Sequence, residues 1–500
     1  MKRLYYSSSA LSAPHIGVII DDILDGKEKG DEIYWAYCRC ALSSCFMNLD
    51  GYPCDCRFCH QMYRQYQRAY GAGVHMAPIR KKDIRHHDRS FDFQNADQLE
   101  QFIYRNVKVG RSVLSLYYTT TRDLDLTRFS EFHEFARPLI VELCDLVDSV
   151  YELMAQIQPD QVIVHNGRLY ENRLFFDIAK SLGVKFKAVE TVGGHGEPYA
   201  KMSYPDELPH HIEKWNKLAI TTWEKSTESE EEKTRIGSSF FERRRKGEVV
   251  VDVKAYVNDQ KKGLLPEGFD PSKRNIVLFT SSQDELVALG DDWSENRIFA
   301  SQGAAIAYIL NNTCGDIHYY IRIHPNLKGI NHRDHLDLYQ YDKLSYVTVI
   351  PPESKVSSYD LMDACEKVVS FGSTTGLEAC YWGKPSILIG HCGFEACGAL
   401  YQMKRLKEVM PSIEGNLPPK PRMAAIKFAY FLLDRKFKVD KTHIDIGVEV
   451  KRHFKWDFTY TSYFRLLGSK TLYQLAYFWN CILLRHFVKP RFQFPWMVQK

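Results

Sequence analysis

Long apolar runs are scarce in this 500-residue chain. The most apolar window, Leu472 to Leu484, falls short of the roughly 20 residues that a membrane-spanning helix needs. The start, Met1-Lys2-Arg3-Leu4-Tyr5-Tyr6, runs straight into Ser7-Ser8-Ser9 without the apolar stretch of a secretory signal. Charge of one sign is also missing. The formal net charge is +4, too balanced for a dedicated nucleic-acid binder, so no nucleic-acid partner is expected. No internal repeat of short period recurs. These absences lead to the expectation of a cytoplasmic chain, where thiols stay reduced.

The composition, 45% hydrophobic and 26% charged, is that of a soluble globular protein. Its 500 residues are too many for one ordinary core, so two domains are expected. The local patterns give both an α/β class. Leu4 to Tyr6 reads as a strand. A helix from Ser12-Ala13-Pro14 to about Lys29 stops at Gly30, and Glu32 to Tyr37 is the next strand. The rhythm returns with a long helix from Phe129 to Gln158, a buried strand at Gln161 to Val164, a helix from Asn172 to Leu182 and a strand from Val184 to Val189. A charged stretch between about Glu224 and Lys246 reads as a solvated helix and linker.

Beyond it, strands are predicted at Asn275–Phe279, His318–Ile323, Val347–Ile350, Val368–Phe371 and Ser386–Ile389. Helices at Ile298–Asn311, Tyr359–Ala364 and Gly376–Trp382 alternate with them, which predicts an open parallel sheet with its loops at the carboxyl edge. The expected organisation is a first domain over 1–235 with a Cys-rich insert at 38–60, a linker over 236–270, a second domain over 271–420 and a helical aromatic and basic segment over 421–500.

The sharpest motif is Ser370-Phe371-Gly372-Ser373-Thr374-Thr375-Gly376-Leu377-Glu378-Ala379, closed by Trp382-Gly383-Lys384-Pro385. Small residues between a strand and a helix let the backbone approach a phosphate, and the hydroxyls of Ser373, Thr374 and Thr375 can donate to its oxygens. Glu378 is a candidate for holding a ribose or sugar hydroxyl; the plainer reading is a capped turn. Arg322 and His324, in Ile321-Arg322-Ile323-His324-Pro325, stand at the end of another strand, where an imidazole can donate to phosphate. Ser281 and Ser282 end the first strand of the second domain. Donor- and phosphate-binding candidates are therefore Ser281, Ser282, Arg322, His324, Gly372, Ser373, Thr374, Thr375, Gly376 and Glu378.

In the first domain, Ser8, Ser9, Asn166 and Arg168 are acceptor-side candidates. Transfer to a hydroxyl needs a base, for which His165, His195 and Glu197 are the principal candidates, with Glu171 beside them.

Thirteen cysteines in such a chain suggest metal ligands or buried thiols before disulfides. The pair Cys56-Arg57-Phe58-Cys59 has the two-residue spacing of a zinc knuckle. A structural zinc held by Cys38, Cys45, Cys56 and Cys59 is expected, with Cys40 and Cys54 as substitutes; the alternative is a cluster of reduced thiols. Finally, Leu472 to Lys500 interleaves aromatic with basic residues, as for a helix at an anionic membrane surface or one packed back across the domains.

The second-domain pattern resembles the bacterial capsule and lipopolysaccharide glycosyltransferases of the two-domain GT-B fold, including capsule polysaccharide synthesis proteins that use CMP-linked sugars. The match lies in His324-Pro325 and in Ser373-Thr374-Thr375-Gly376-Leu377-Glu378-Ala379, and is specific over about residues 275 to 390. The resemblance implies two doubly wound Rossmann-like domains facing a central cleft. It implies a nucleotide-sugar donor on the second domain and a glycan or lipid-linked acceptor on the first. No catalytic metal is expected, and contact with the inner membrane surface would be peripheral. Rival readings are a non-hydrolysing sugar-nucleotide 2-epimerase, a CDP-polyol phosphate transferase, and a non-catalytic sugar-nucleotide-binding regulator or scaffold.

Overall fold

The computed structural model describes residues 1–48, 51, 53–80, 84, 87–121, 129–194, 197–209, 211–250, 256–282, 297–330, 333–434 and 440–443. They divide into two units. One holds the described residues up to 209 together with 440–443, and the other holds 211–434.

The first unit is built on seven strands: β1 (Lys2–Ser7), β2 (Glu32–Arg39), β3 (Val74–Arg80), β4 (Gln161–His165), β5 (Lys185–Gly194), β6 (Glu197–Pro205) and, from the far end of the chain, β13 (Asp440–His443). Their order is β13-β6-β5-β4-β1-β2-β3. The five from β3 to β5 are parallel, and β6 and β13 add antiparallel. The core under β1 and β2 is unusually aromatic. Tyr5, Trp35, Tyr37 and Tyr63 are enclosed together with Ile19 and Ile163. Burying each such large side chain is worth roughly 1.5–3 kcal/mol. Polar tips stay satisfied: Trp35 Nε1 donates to Ser7 Oγ at 2.9 Å, and Tyr63 OH donates to the Ser7 carbonyl at 2.8 Å.

The second unit carries β7 (Arg274–Phe279), β8 (Ile317–Arg322), β9 (Val347–Ile350), β10 (Lys367–Ser370), β11 (Ser386–Leu388) and β12 (Tyr401–Gln402) in the order β12-β11-β10-β7-β8-β9, all parallel. The chain goes outward from β7 to β9, then returns to the other side of β7 as β10. This is the doubly wound dinucleotide-fold order, and its reversal leaves a crevice at the carboxyl ends of β7 and β10. The first unit repeats the order from β3 to β5, with its own reversal between β1 and β4. Both faces of β7 are covered: Ile276 and Leu278 enter one apolar cluster, Val277 and Phe279 another. That is why its sequence is an unbroken apolar run.

Several expectations need correction. The charged stretch before the second sheet is not a linker. It holds the helices Ile212–Lys225 and Glu230–Arg245, both in the second unit, so the division falls near 210 rather than 236. Phe240 and Phe241 of the latter helix are fully buried with Phe428 and Leu377, and Lys233 and Arg244 are buried with them, so only part of its charge lies on the outward side. Cys56 and Cys59 lie on the helix Pro53–Tyr70, not in a loop knuckle, and β2 runs on past Cys38 to Arg39. The helix Arg422–Leu433 fits the expected helical tail, but β13 follows it as a strand against β6. Leu472 to Lys500 lies outside the described residues. Among the described residues no helix is long and apolar enough to cross a membrane.

Candidate functional site

A cavity in the second unit opens at the carboxyl edge of its sheet. Its wall includes Thr280 from the end of β7, Arg322 and His324 from the end of β8, Ser373, Thr374 and Thr375 after β10, and Glu378 on the helix Thr375–Tyr381. Six residues singled out in the sequence thus meet there, contributed by strand ends on both sides of β7.

Arg322 is the fixed cation of the cavity. Its side chain is almost wholly enclosed. Its guanidinium donates to the carbonyls of Pro351 and, at 3.2 Å, Ser354. Nε is buried without a hydrogen-bond partner, and among the described residues no carboxylate forms an ion pair with it. Burial pushes its pKa down to about 10, with Glu353 acting in the opposite sense, so it remains charged at neutral pH.

His324 follows with a defined tautomer. Its Nδ1 accepts the backbone N–H of Asn326 at 3.2 Å, which places the proton of the neutral ring on Nε2. Its backbone N–H donates to Thr280 Oγ1 at 2.9 Å, tying the ends of β7 and β8 together. Tyr256 meets the imidazole edge-on, with 5.3 Å between ring centroids.

The loop after β10 supplies hydroxyls. Ser373 Oγ accepts from Thr375 Oγ1 at 3.0 Å, which leaves its own proton available to a ligand. Gly372 has φ 109°, a conformation that side chains resist. Gly376 serves packing: a Cβ there would stand 2.5 Å from Ser370 Oγ and 2.9 Å from Leu400. The helix that follows has only seven residues and no side-chain cap, so hydroxyls and cations, rather than a long helix dipole, define this wall.

Glu378 has another occupation than an exposed sugar ligand. It is buried and accepts from Arg244 at 3.0 and 3.2 Å, from Thr374 Oγ1 at 3.3 Å and from the Tyr359 hydroxyl. Ser281 and Ser282, unlike Glu378, are not in the cavity wall. Ser281 Oγ donates to the Phe371 carbonyl at 2.9 Å, bridging the ends of β7 and β10, and Ser282 Oγ accepts from Asn326 at 3.3 Å. Arg244, Tyr256, Gln260 and Tyr359 also line the cavity, and sequence reasoning missed them. Arg244 was hidden in a run of four basic residues that reads as solvated surface. The available signal was Phe240-Phe241 one turn earlier, which marks that helix as half-buried.

In the first unit, His165 ends β4 and is buried. Its ring stacks on His15 at 4.0 Å, and Nε2 lies 3.5 Å from Glu190 on β5. Burial, then the neighbouring His165, push His15 down to about 3, so it is neutral. Asn166, with φ 62°, donates to the same Glu190 and accepts from the Arg168 backbone N–H at 3.1 Å. The loop side chains therefore serve one another. Burial raises Glu171 to about 7, against the N–H groups and the Ser8 hydroxyl near it. His195 and the Glu197 side chain lie outside the described residues.

Ser8 and Ser9 face a second, smaller cavity, lined also by Cys38, Cys40, Cys45, Cys56 and Cys59. The four thiols expected to hold zinc do share one place. Among the described residues, however, no group of three or more His, Cys, Asp or Glu side chains is arranged to hold a metal ion.

No protein-family model matches the chain. No curated protein matches it either. Solved structures do. The β-Kdo 2,4 transferase KpsC of Thermosulfurimonas dismutans is 15% identical over 54% of this chain and 79% of its own, with a TM-score of 0.34. The spinosyn rhamnosyltransferase SpnG is 11% identical over 86% of this chain and 95% of its own, at 0.23. The UDP-GlcNAc 2-epimerase of Neisseria meningitidis, bound to UDP-GlcNAc, is 11% identical over 91% of this chain and 100% of its own, at 0.22.

Proposed function

We propose that the chain is a glycosyltransferase that moves a sugar from a nucleotide-activated donor to a growing surface glycan, with the donor's phosphate held in the cavity of the second unit. The observation that supports this reading most is Arg322: a buried guanidinium, held by carbonyls and unpaired with any carboxylate among the described residues, beside His324 and the hydroxyls of Ser373 to Thr375. A buried cation without a counter-ion is costly, and a phosphate relieves that cost. As the sugar–phosphate bond breaks, negative charge grows on the leaving phosphate. A guanidinium, an Nε2–H and hydroxyls already in place stabilise that charge more than they stabilise the ground state.

In this reading a base removes the proton of the acceptor hydroxyl, for which His165, His195 and Glu197 remain the candidates. The acceptor is a glycan or lipid-linked saccharide, used at the cytoplasmic side of the inner membrane. Arg322 supplies the charge neutralisation that a catalytic metal would otherwise give.

Incubation with a panel of nucleotide sugars, with and without oligosaccharide acceptors, tests the proposal through nucleotide release. Acceptor-dependent release supports it. Conversion of a free donor into its epimer would identify a 2-epimerase instead. Release of CMP from a CDP-polyol would identify a polyol-phosphate transferase, and tight binding without turnover a regulator or scaffold. Failure of every nucleotide to bind would remove the phosphate site itself.

A further inference from the structure

The second unit has another cavity, behind the one that holds His324. Its volume is about 590 Å³, within the roughly 300–1,000 Å³ of small-molecule sites. The cavity at the carboxyl edge has about 90 Å³. The two share Val257, Gln260 and Tyr359 as a common wall. The rest of the larger one is built from other ends of the same elements. Glu242, Arg245 and Lys246 come from the last turn and C-cap of the helix Glu230–Arg245. Trp382 directly follows the seven-residue helix Thr375–Tyr381. It therefore stands about 10 Å along that helix from the hydroxyl loop at its start.

The wall is balanced in its chemistry. Arg245 is already engaged: its guanidinium pairs with Asp363 and stands 4.4 Å from the ring centre of Trp382 and 5.2 Å from that of Tyr359. Lys246 and Lys262 are exposed and make no ion pair among the described residues. Gln260 accepts the Ser358 N–H through its carbonyl at 2.7 Å, which leaves its NH₂ group to donate. Acceptors match these donors. Glu242 accepts from the Tyr381 hydroxyl at 3.0 Å, and Asp360 accepts from the Gly263 N–H at 2.8 Å. Each carboxylate keeps lone pairs for a ligand. Val257 and the partly exposed Trp382 add apolar surface.

We propose that this cavity binds neutral saccharide units of a glycan, at a place separate from the transfer reaction. Two uncommitted ammonium groups are set against two carboxylates, so a simple anion meets repulsion as well as attraction. A sugar hydroxyl both donates and accepts, and uses an ammonium and a carboxylate together. The C–H face of the sugar ring covers Trp382 and Val257 and removes apolar surface from water. Lys246, Lys262 and Trp382 do not line the smaller cavity, so this site stands whether or not a nucleotide phosphate binds beside Arg322.

The test is titration of the full chain with neutral mono-, di- and trisaccharides of glucose, galactose and N-acetylglucosamine, read by saturation-transfer NMR and tryptophan fluorescence. Glucuronate and inorganic phosphate serve as anionic probes. At least one neutral saccharide should bind. Lys246→Ala combined with Lys262→Ala, both at exposed positions, should weaken it on the order of tenfold, the worth of one charged hydrogen bond. Trp382→Leu should also weaken it, with thermal melting confirming the fold. Saccharide affinity should survive Arg322→Ala, which acts on the other cavity. Absence of binding by every neutral saccharide, binding of the anionic probes alone, wild-type affinity in the lysine and tryptophan variants, or loss of saccharide binding in Arg322→Ala would each overturn the proposal.

Discussion

Arg244 and Glu378, 134 positions apart, form a buried ion pair in the wall of the second unit's cavity. The arginine comes from the helix Glu230–Arg245 and the glutamate from the helix after β10, so the pair fastens a charge-rich helix to the strand–loop–helix that carries Ser373 to Thr375. With side-chain exposures of 9% and 2%, neither charge is well solvated, and each is tolerated because the other is there.

Glu378→Gln should therefore destabilise the second unit by about 3–5 kcal/mol, because it leaves a buried guanidinium uncompensated. The double replacement Arg244→Met, Glu378→Leu should cost clearly less than the sum of the single changes. Urea unfolding of the four proteins measures the coupling; additive losses would show that the pair contributes little.

Arg322→Ala should weaken binding of a nucleoside monophosphate or diphosphate by about 10- to 100-fold, the worth of a charge-assisted hydrogen bond. Arg322→Lys should recover part of it, since a lysine restores the charge but not the fork. Titration calorimetry gives the affinities and thermal melting the integrity of the fold. Wild-type affinity in Arg322→Ala would remove the residue from the site.

A buried charge network makes the first unit acid-sensitive. Asp22 meets Lys187 at 2.6 Å and Lys201 at 3.5 Å, and Lys201, wholly enclosed, also meets Asp21 at 2.7 Å. Burial alone would raise the Asp22 carboxyl; the lysines outweigh it and hold it below its ordinary value of 3.8. Its contribution is thus complete above pH 3.8 and is lost as pH falls through the lower folded value. Lys201 is raised, by Asp22 first and against burial. Its contribution is complete below 10.5 and lost only at higher, strongly alkaline pH. Asp22→Asn should flatten the acid limb of a stability–pH curve below about pH 4. An unchanged limb would assign acid unfolding to other groups.

Gly376→Ala should cost about 1–3 kcal/mol, since the added methyl meets Ser370 Oγ and Leu400 in a packed site. Combining it with Ser370→Ala should return part of the loss, because the nearer clash is with that hydroxyl. Chemical denaturation checks both; a neutral Gly376→Ala would mean that the helix shifts freely against β10.

The second sheet was legible because its strands are covered on both faces. Ile276 to Phe279 is a continuous apolar run and Val347 to Ile350 is one broken only by Thr348, and the structure places strands there within a residue or so. The hydroxyl loop and His324 were legible for a related reason: each follows directly on such a run. The first sheet was harder. β3 carries Pro78 and is only partly buried, so neither alternation nor an apolar run marks it. β6 starts Glu197-Pro198 and ends at Pro205, which reads as loop. The partners of Glu378 were invisible for another reason. Arg244 and Tyr359 are brought to it by tertiary packing from 134 and 19 positions away, and nothing in the local spacing announces either contact.

The bond from Ser281 to the Phe371 carbonyl has an energetic corollary. Gln302 clasps Ser281 from both sides, through its N–H at 3.0 Å and its carbonyl at 3.2 Å, so the two strand ends that frame the crevice are latched before any ligand arrives. The ordering entropy of that rim belongs to folding and is not charged again at each encounter. Recognition there should discriminate by charge and shape on first contact, with little of the heat-capacity change that accompanies a rim that must assemble around its guest.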